Sequence, residues 1–294
     1  MITIAIPTYQ RGAILTETLR RLLELTPPAD EIVVVDQTPA YPPEIEATLS
    51  SMPIRWIRLP RPSIPHAMNV ALREASQPIV LFMDDDVIPS PVLVAEHERA
   101  HGDGIWAVAG QVLQPGQREE HFDRLHGGVL RDLEFPFNHD EPCDVENVMA
   151  GNLSVDREKA LSIGGFDENF SGAAYRFETD FARRIVAAGG RIRYEPRATL
   201  HHLHLASGGI RAHGDHRTTA SASHTTGDYY FALRHVRPFW PYAVRRFRGN
   251  VINRWLLRHP WYLPLRVIAE VRGLFEAGRL YRRGRKERSN SRVR

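Results

Sequence analysis

"PIVLFMDDDVIPSP", residues 78–91, sets the fold class. An apolar, β-prone run stops abruptly at Asp84, Asp85 and Asp86, and Pro89 and Pro91 follow. A short apolar run with such an end reads as a buried strand. Three adjacent carboxylates repel one another, so their position needs a reason. Alternate residues of an extended segment point the same way, which lets Asp84 and Asp86 face one site while Asp85 points elsewhere. Two such carboxylates suit a hard cation, and Mg²⁺ or Mn²⁺ typically takes one or two of them together with phosphate oxygens. The plainer reading of the same residues is an acidic turn, with Asp86 or Ser90 capping the next helix.

Outward from this stretch, strands and helices alternate. "ITIAI" (2–6), "EIVVVD" (31–36), "IRWIRL" (54–59) and "IWAVAGQVL" (105–113) read as further strands. "RGAILTETLRRLLELT", "HAMNVALREA" (66–75) and "PVLVAEHERA" (91–100) carry helical spacing. The pattern predicts an α/β fold, a mainly parallel central sheet flanked by helices. Ligands of such sheets bind beyond the carboxyl ends of the strands, near a topological switch point. Three strand ends are polar here: "PTYQR" (7–11), "DQT" (36–38) and "DDD" (84–86).

Residues 114–146 read as a loop-bearing insertion. "GNLSVDREKALSIGGFDENF" (151–170) predicts a short strand, a helix opening near Asp156 and a Gly-Gly turn. "ETDFARRIVAAGGRIRYEP" (178–196) predicts a helix ended by Gly189-Gly190, then a strand leading into three histidines within four positions. From Arg234 onward the chain holds 17 Lys and Arg against 3 Asp and Glu, so an acidic body of −11 carries a tail of +14. We expect two domains, an α/β domain over 1–225 and a basic, aromatic-rich helical extension over 226–294 whose end is disordered. Cys143 is the sole cysteine. It allows no internal disulfide and no multi-thiolate zinc site. No run of about 18 apolar residues is present, and the N-terminus lacks the features of a secretory signal. A cytoplasmic protein is expected.

Five pieces in order, "IAIPTYQR", "IVVVDQT", "LFMDDDVIPSP", "GGFDENF" and "ETDFARRI…GGRIRYEP", resemble the family 2 inverting glycosyltransferases of the GT-A fold, over about residues 1–205. The resemblance implies a nucleotide-sugar donor, a glycan or lipid-linked acceptor, and Mn²⁺ or Mg²⁺ as cofactor. Pro7, Thr8 and Tyr9 would line the base pocket, with Arg11 close by. Asp36 would accept a hydrogen bond from the base, most naturally the N3–H of uracil. Asn69 matches an asparagine near the donor, although His66 and Met68 depart from the residues usual around it. Asp84 would approach the ribose or sugar, with Asp85 beside it, and Asp86 would hold the metal. His202 would supply a further ligand, with His204 on the same side. Gly151, Asn152 and the turn 164–168 would border the sugar. An inverting transfer also needs a general base for the acceptor hydroxyl. The family presents it in a Glu-Asp pair opening a helix, whereas this chain reads Phe177-Glu178-Thr179-Asp180. Glu178 is the first candidate and Asp180 the second. A helix's first turn favours anions in any case.

The Q-x-x-R-W signature of processive synthases is absent, which implies one sugar per encounter. Trp, Tyr and Phe interleaved with Arg in 239–275 suit a segment lying on anionic lipid, on the inner face of the cell membrane. No recognition motif accompanies the charge, so nucleic acid is not the expected partner. Two rivals stand beside this reading. A sugar-phosphate nucleotidyltransferase would carry a Gly-rich basic loop after the first strand, and "PTYQRGA" lacks one. A non-catalytic glycan- or membrane-binding protein would accommodate Phe177.

Overall fold

The structure is a computed structural model and describes residues 1–123, 133–205, 208–209 and 218–291. Parts of the expected insertion, of the histidine-bearing stretch and of the basic end lie outside the described residues. The chain divides into two compact units, Met1–Phe166 with Phe181–Ala212, and Asp167–Asp180 with His213–Arg294.

The first unit is built on one mixed sheet. Strands β1 (Ile2–Thr8), β2 (Glu31–Asp36), β3 (Arg55–Arg58) and β4 (Ile79–Met83) are mutually parallel and lie in the order β3-β2-β1-β4. Ile4, Ile6, Val33, Val34, Val35, Leu81 and Phe82 are fully buried. Strands covered on both faces read as continuous apolar runs, which is why the sequence announces them. Helix α1 (Gly12–Leu23) buries Leu15, Leu19 and Leu22. Helix α2 (Pro43–Ser51) buries only Leu49, too little to leave a periodic signal. Helix α3 (Ile64–Glu74) buries Ala67, Met68, Ala71 and Leu72 and packs on β1 and β2. Because β2 and β3 extend to one side of β1 and β4 lies on the other, the strand order reverses between β1 and β4.

Beyond β4 the strand directions are mixed. Strand β5 (Val87–Pro89) follows the aspartates, and β6 (Ile105–Leu113), β7 (Cys143–Asp144), β8 (Asn152–Asp156) and β9 (Arg191–His202) complete the sheet. β8 lies antiparallel between β4 and β6, and β5 and β7 pair antiparallel with β9, while β6 and β9 are parallel. Six of the nine strands, β1–β4, β6 and β9, run the same way, as expected for a mainly parallel sheet, and β5, β7 and β8 run against them.

Helix α4 (Leu93–Ala100) is tied to β8 by a polar cluster in the core. Asn152 Nδ2 donates to the carbonyls of Gln111 (2.9 Å) and Ala198 (2.8 Å), so its Oδ1 faces His97 Nε2 at 2.8 Å. That makes Nε2 the protonated nitrogen and Nδ1 the acceptor toward Ser154 Oγ at 2.8 Å, the neutral tautomer inferred from the bonding pattern. Ser154 Oγ also lies 2.8 Å from His101 Nε2. Burial pushes His97 down to about 3 and His101 down to about 4. Both folded values lie below the ordinary one of about 6.5, so the unfolded chain binds the extra protons. Their contribution is therefore complete above about pH 6.5 and is lost as pH falls toward 4, by about 2 kcal/mol per histidine at pH 5. Urea unfolding of the protein and of His97→Gln at pH 7 and pH 5 checks this. The midpoint should drop with pH in the protein and drop less in the variant; equal drops would refute it.

The second unit is helical. It includes Ser223–His235, Phe239–Val251, Arg254–Arg258 and Leu263–Ser291. Part of its basic charge is spent internally. Asp228 accepts from Arg176 Nε (3.2 Å) and Tyr242 (3.0 Å) and pairs with Arg246. Glu270 accepts from Tyr229 (2.8 Å), Asn250 (2.9 Å) and Arg266 (3.1 Å). Buried carboxylates need such partners. The 225/226 boundary expected between domains falls inside Ser223–His235. The last helix continues to Ser291, through most of the stretch expected to be disordered, since Arg, Lys and Glu propagate a helix well. Among the described residues no helix is long and apolar enough to cross a membrane.

Candidate active site

The carboxyl ends of the parallel strands gather the polar residues of the first unit. Thr8 ends β1 in register with Asp36 at the end of β2. The aspartates leave β4 on the other side of β1, across the switch point. Thr8 Oγ1 spans that point and donates to Asp85 Oδ2 at 2.5 Å. Thr18 of α1 donates to the Asp85 carbonyl at 2.8 Å. Arg11 Nη1 lies 3.0 Å from Asp85 Oδ1 and 2.8 Å from Asp86 Oδ2, bridging two of the three carboxylates. Its Nη2 reaches the Leu205 carbonyl at 3.3 Å. Gly208 lies against Arg11, where a Cβ would come within 2.6 Å of its Cγ.

The three aspartates differ in environment. Asp85 is buried, and burial pushes its carboxyl up to about 6 against the lowering pull of Thr8 and Arg11. Asp86 is fully buried, yet its carboxyl is held below the usual range. Burial alone would raise it, and His202, the Leu205 amide and Arg11 outweigh burial. Asp84 is the open one, its side chain 48% exposed. A Cβ at Gly151 would lie 2.4 Å from its Oδ2, so a side chain there would have to displace this carboxylate.

The pairing of β5 with β9 explains where the histidine falls. His202 is opposite Val87, one residue beyond Asp86, and Leu203 N–H donates to the Asp86 carbonyl at 2.8 Å. His202 Nε2 is 3.2 Å from Asp86 Oδ1 and 3.6 Å from Asp84 Oδ2. Gln114 Oε1 lies 3.1 Å from Nδ1 and fixes the ring. The carboxylates of Asp86 and Asp84 beside the imidazole raise the His202 pKa against burial. These groups fit a divalent cation on one further observation. Asp86 Oδ1 is buried with no hydrogen-bond partner, its contact with His202 being an ion pair and not an aligned bond. A buried carboxylate oxygen without a hydrogen bond, beside an oriented imidazole, offers two donors to a hard or borderline ion. Gln114 gave no signal in the sequence. It simply follows β6, and its role depends on a partner 88 residues away.

Asp36 is fully buried and heavily engaged. Its Oδ1 accepts from Thr38 N (2.8 Å) and Tyr41 (3.2 Å), its Oδ2 from Trp56 Nε1 (3.0 Å). A carboxylate has about four acceptor sites, which leaves room for one more donor. Pro7 and Tyr9 are partly exposed beside Thr8. Asn69 bonds the Phe166 backbone in both directions, donating to its carbonyl at 2.9 Å and accepting from its N–H at 2.8 Å. It holds the turn that contains Gly164 and Gly165, both at positive φ.

Glu178 and Asp180 belong to the second unit, in the first turn of the helix Phe177–Ala187. Asp180 is fully buried, 2.7 Å from His235 Nε2 and 3.1 Å from Arg234 Nε. Glu178 is half-buried. Phe177, where the resembled family has Glu, is a core residue at 1% exposure.

The family described as glycosyl transferase family 2 matches residues 3–161. That span holds β1 to β8, the aspartate triplet and Asp36. Among solved structures, GalNAc-T7 with UDP, GalNAc and Mn²⁺ superposes with a TM-score of 0.65 at 13% identity, over 85% of this chain and 51% of that one. The chain thus spans about half the length of GalNAc-T7. The mannosyltransferase PcManGT from Pyrobaculum calidifontis, in complex with GDP-Man and Mn²⁺, gives 0.57 at 18% identity, over 97% of this chain and 79% of that one. Residues 1–349 of TarS from S. aureus give 0.59 at 14% identity, over 94% and 80%. No curated protein sequence matches the chain significantly. With more than half of its sequence matched to the family and a GT-A architecture shared with these glycosyltransferases, the chain belongs to glycosyl transferase family 2.

Proposed function

We propose that the protein is an inverting, divalent-metal-dependent glycosyltransferase. It moves one sugar per encounter from a nucleoside diphosphate donor, a UDP-sugar, to a hydroxyl of a glycan or lipid-linked acceptor. The observation that carries this reading is the unpartnered Asp86 Oδ1 beside His202 at the carboxyl end of the parallel strands. Asp86 and His202 hold the cation, Mn²⁺ or Mg²⁺, and Asp84 faces the ribose or sugar. When bound, the ion neutralises charge that builds on the departing diphosphate. Arg11 clamps Asp85 and Asp86 and so keeps the triplet in place against its own repulsion. Pro7, Thr8 and Tyr9 line the base pocket, and the remaining acceptor site of Asp36 takes the base N–H. Glu178 removes the acceptor hydroxyl's proton as that oxygen attacks the anomeric carbon, opposite the leaving group. The presence of Mn²⁺ with a nucleotide or nucleotide sugar in GalNAc-T7 and PcManGT supports the cofactor. One of those carries UDP and the other GDP-Man, so the choice of uridine rests on Asp36 alone.

Thermal shifts with UDP-, GDP- and dTDP-sugars, with and without Mn²⁺, test this. A UDP-sugar at about 100 times its Kd should stabilise the protein by about 2.7 kcal/mol, and only with metal. Shifts indifferent to Mn²⁺ would remove the metal from the reading. A shift confined to GDP-sugars would remove uridine.

The second unit supplies a means of reaching lipid-linked acceptors. Trp240 (65% exposed), Leu257 (72%), Trp261 (64%) and Phe275 (73%) are open to solvent. Trp240, Pro241 and Val244 share a surface depression with Arg245 and Arg248. Large apolar side chains beside arginine suit an anionic headgroup layer on the cytoplasmic face of a membrane. The protein should sediment with phosphatidylglycerol vesicles at physiological salt and not with phosphatidylcholine vesicles, and Trp240→Ser with Trp261→Ser should release it. Equal recovery with both vesicle types would count against this.

A further inference from the structure

A second cluster of ligand groups lies in the segment between β6 and β7. A parallel bridge joins Glu120 to His139, reinforced by Glu120 N–H to the Asn138 carbonyl at 3.0 Å and Asn138 Nδ2 to the Arg118 carbonyl at 2.9 Å. This pairing sets His121 beside His139 and Asp140. His121 Nδ1 is 3.0 Å from Asp140 Oδ1, and His139 Nδ1 is 3.5 Å from the same oxygen. The two imidazoles are 5.5 Å apart. One ligand atom from each of the three residues lies within 4.8 Å of the other two, and no other described group of three or more meets that condition.

His139 is the informative member. Its side chain is 3% exposed. Its carbonyl accepts from Tyr194 at 2.7 Å and Gln111 Nε2 at 3.2 Å, and its N–H donates to the Pro136 carbonyl at 3.1 Å. The ring stacks on Tyr194, with centroids 6.2 Å apart and planes 25° apart, and lies 6.1 Å from Phe122. So the imidazole is held rigidly, yet its Nδ1 is buried with no hydrogen-bond partner. An unsatisfied buried nitrogen costs about 1–3 kcal/mol, a cost that a ligand would remove. This nitrogen points to Asp140.

We propose that His121, His139 and Asp140 form a metal site, separate from the aspartate triplet, for a borderline divalent ion of the Zn²⁺ class. Bonds of about 2.0–2.1 Å in a tetrahedron put ligand atoms about 3.3 Å apart. The separations of 3.0 and 3.5 Å already bracket that value. Two imidazoles and one carboxylate favour Zn²⁺ over Mg²⁺ or Mn²⁺. The triplet offers mainly carboxylates, so the two sites select different ions. Glu141, whose Oε1 is 3.9 Å from His121 Nδ1, or a water completes the shell. The ion ties the segment after β6 to the segment before β7, a structural clip whose gain comes from closing the intervening chain.

Calorimetric titration of the chelator-stripped, full-length protein with Zn²⁺ alone tests the site. In an Asp86→Asn background the triplet is disabled, and one equivalent should still bind. Adding His121→Ala should weaken that binding by more than about 100-fold, beyond the loss of an outer-shell partner. The His121 side chain is 49% exposed, so its removal should leave the metal-free melting temperature unchanged. In the otherwise unaltered chain, His121→Ala should likewise remove one equivalent of Zn²⁺. Absence of Zn²⁺ binding in the Asp86→Asn protein, or full affinity surviving His121→Ala, would overturn the proposal. Neither readout depends on sugar transfer, so the donor reading stands or falls separately.

Discussion

Asp86→Asn is expected to lower Mn²⁺-dependent turnover of the nucleotide sugar by about 10³-fold while the protein stays folded. The substitution keeps the shape of the side chain and removes its charge. Arg11 retains Asp85 at 3.0 Å, so the guanidinium is not left alone in the interior. The Leu205 N–H, 3.2 Å from Asp86 Oδ2, can still donate to the amide oxygen. What is lost is the anionic oxygen facing His202. Release of nucleoside diphosphate at increasing Mn²⁺ is the measurement. Turnover should fall at every concentration, and the metal-dependent thermal shift with donor should disappear. If both survive, Asp86 is the acidic turn residue that the triplet also resembles, and the cation is held elsewhere.

The same region shows which features a sequence carries openly. The strands β1, β2 and β4 are legible because burial on both faces turns them into apolar runs, and their polar ends mark where a ligand sits. The triplet is legible because like charges are not placed together without cause. His202 is reached through the family resemblance, aligned from Pro196, and it is the last residue of β9. The rest depends on pairing between distant segments. Strands β5 and β7 span three and two residues, too few for any periodicity. Arg11 could be placed near a base pocket, but its bridge between Asp85 and Asp86 appears only when α1 meets the end of β4. Tail arginines read as surface charge, whereas Arg246 and Arg266 neutralise Asp228 and Glu270 inside the second unit. Composition counts charges and cannot report which are already paired.

Glu178→Gln is expected to reduce kcat by about 10²–10⁴-fold, the range of a positioned general base, with the donor's KM and its thermal shift unchanged. Asp180→Asn is expected to act through stability instead. Asp180 is fully buried between Arg234 and His235, and discharging it leaves two basic groups facing a neutral amide. Removing one partner of such a buried pair costs about 3–5 kcal/mol; Arg234 also pairs with Asp167, which places this case near 3. Asp180 is fully buried with its Oδ1 against Arg234 and His235, which closes it to a substrate hydroxyl. Glu178, two residues earlier, is half-buried. Phe177 is 1% exposed in the core, so a side chain there serves packing. Steady-state kinetics and melting curves of the two variants separate the roles. The expected pattern is low kcat at normal stability for Glu178→Gln, and lowered stability with a smaller kcat loss for Asp180→Asn. The reverse pattern would assign the base to Asp180.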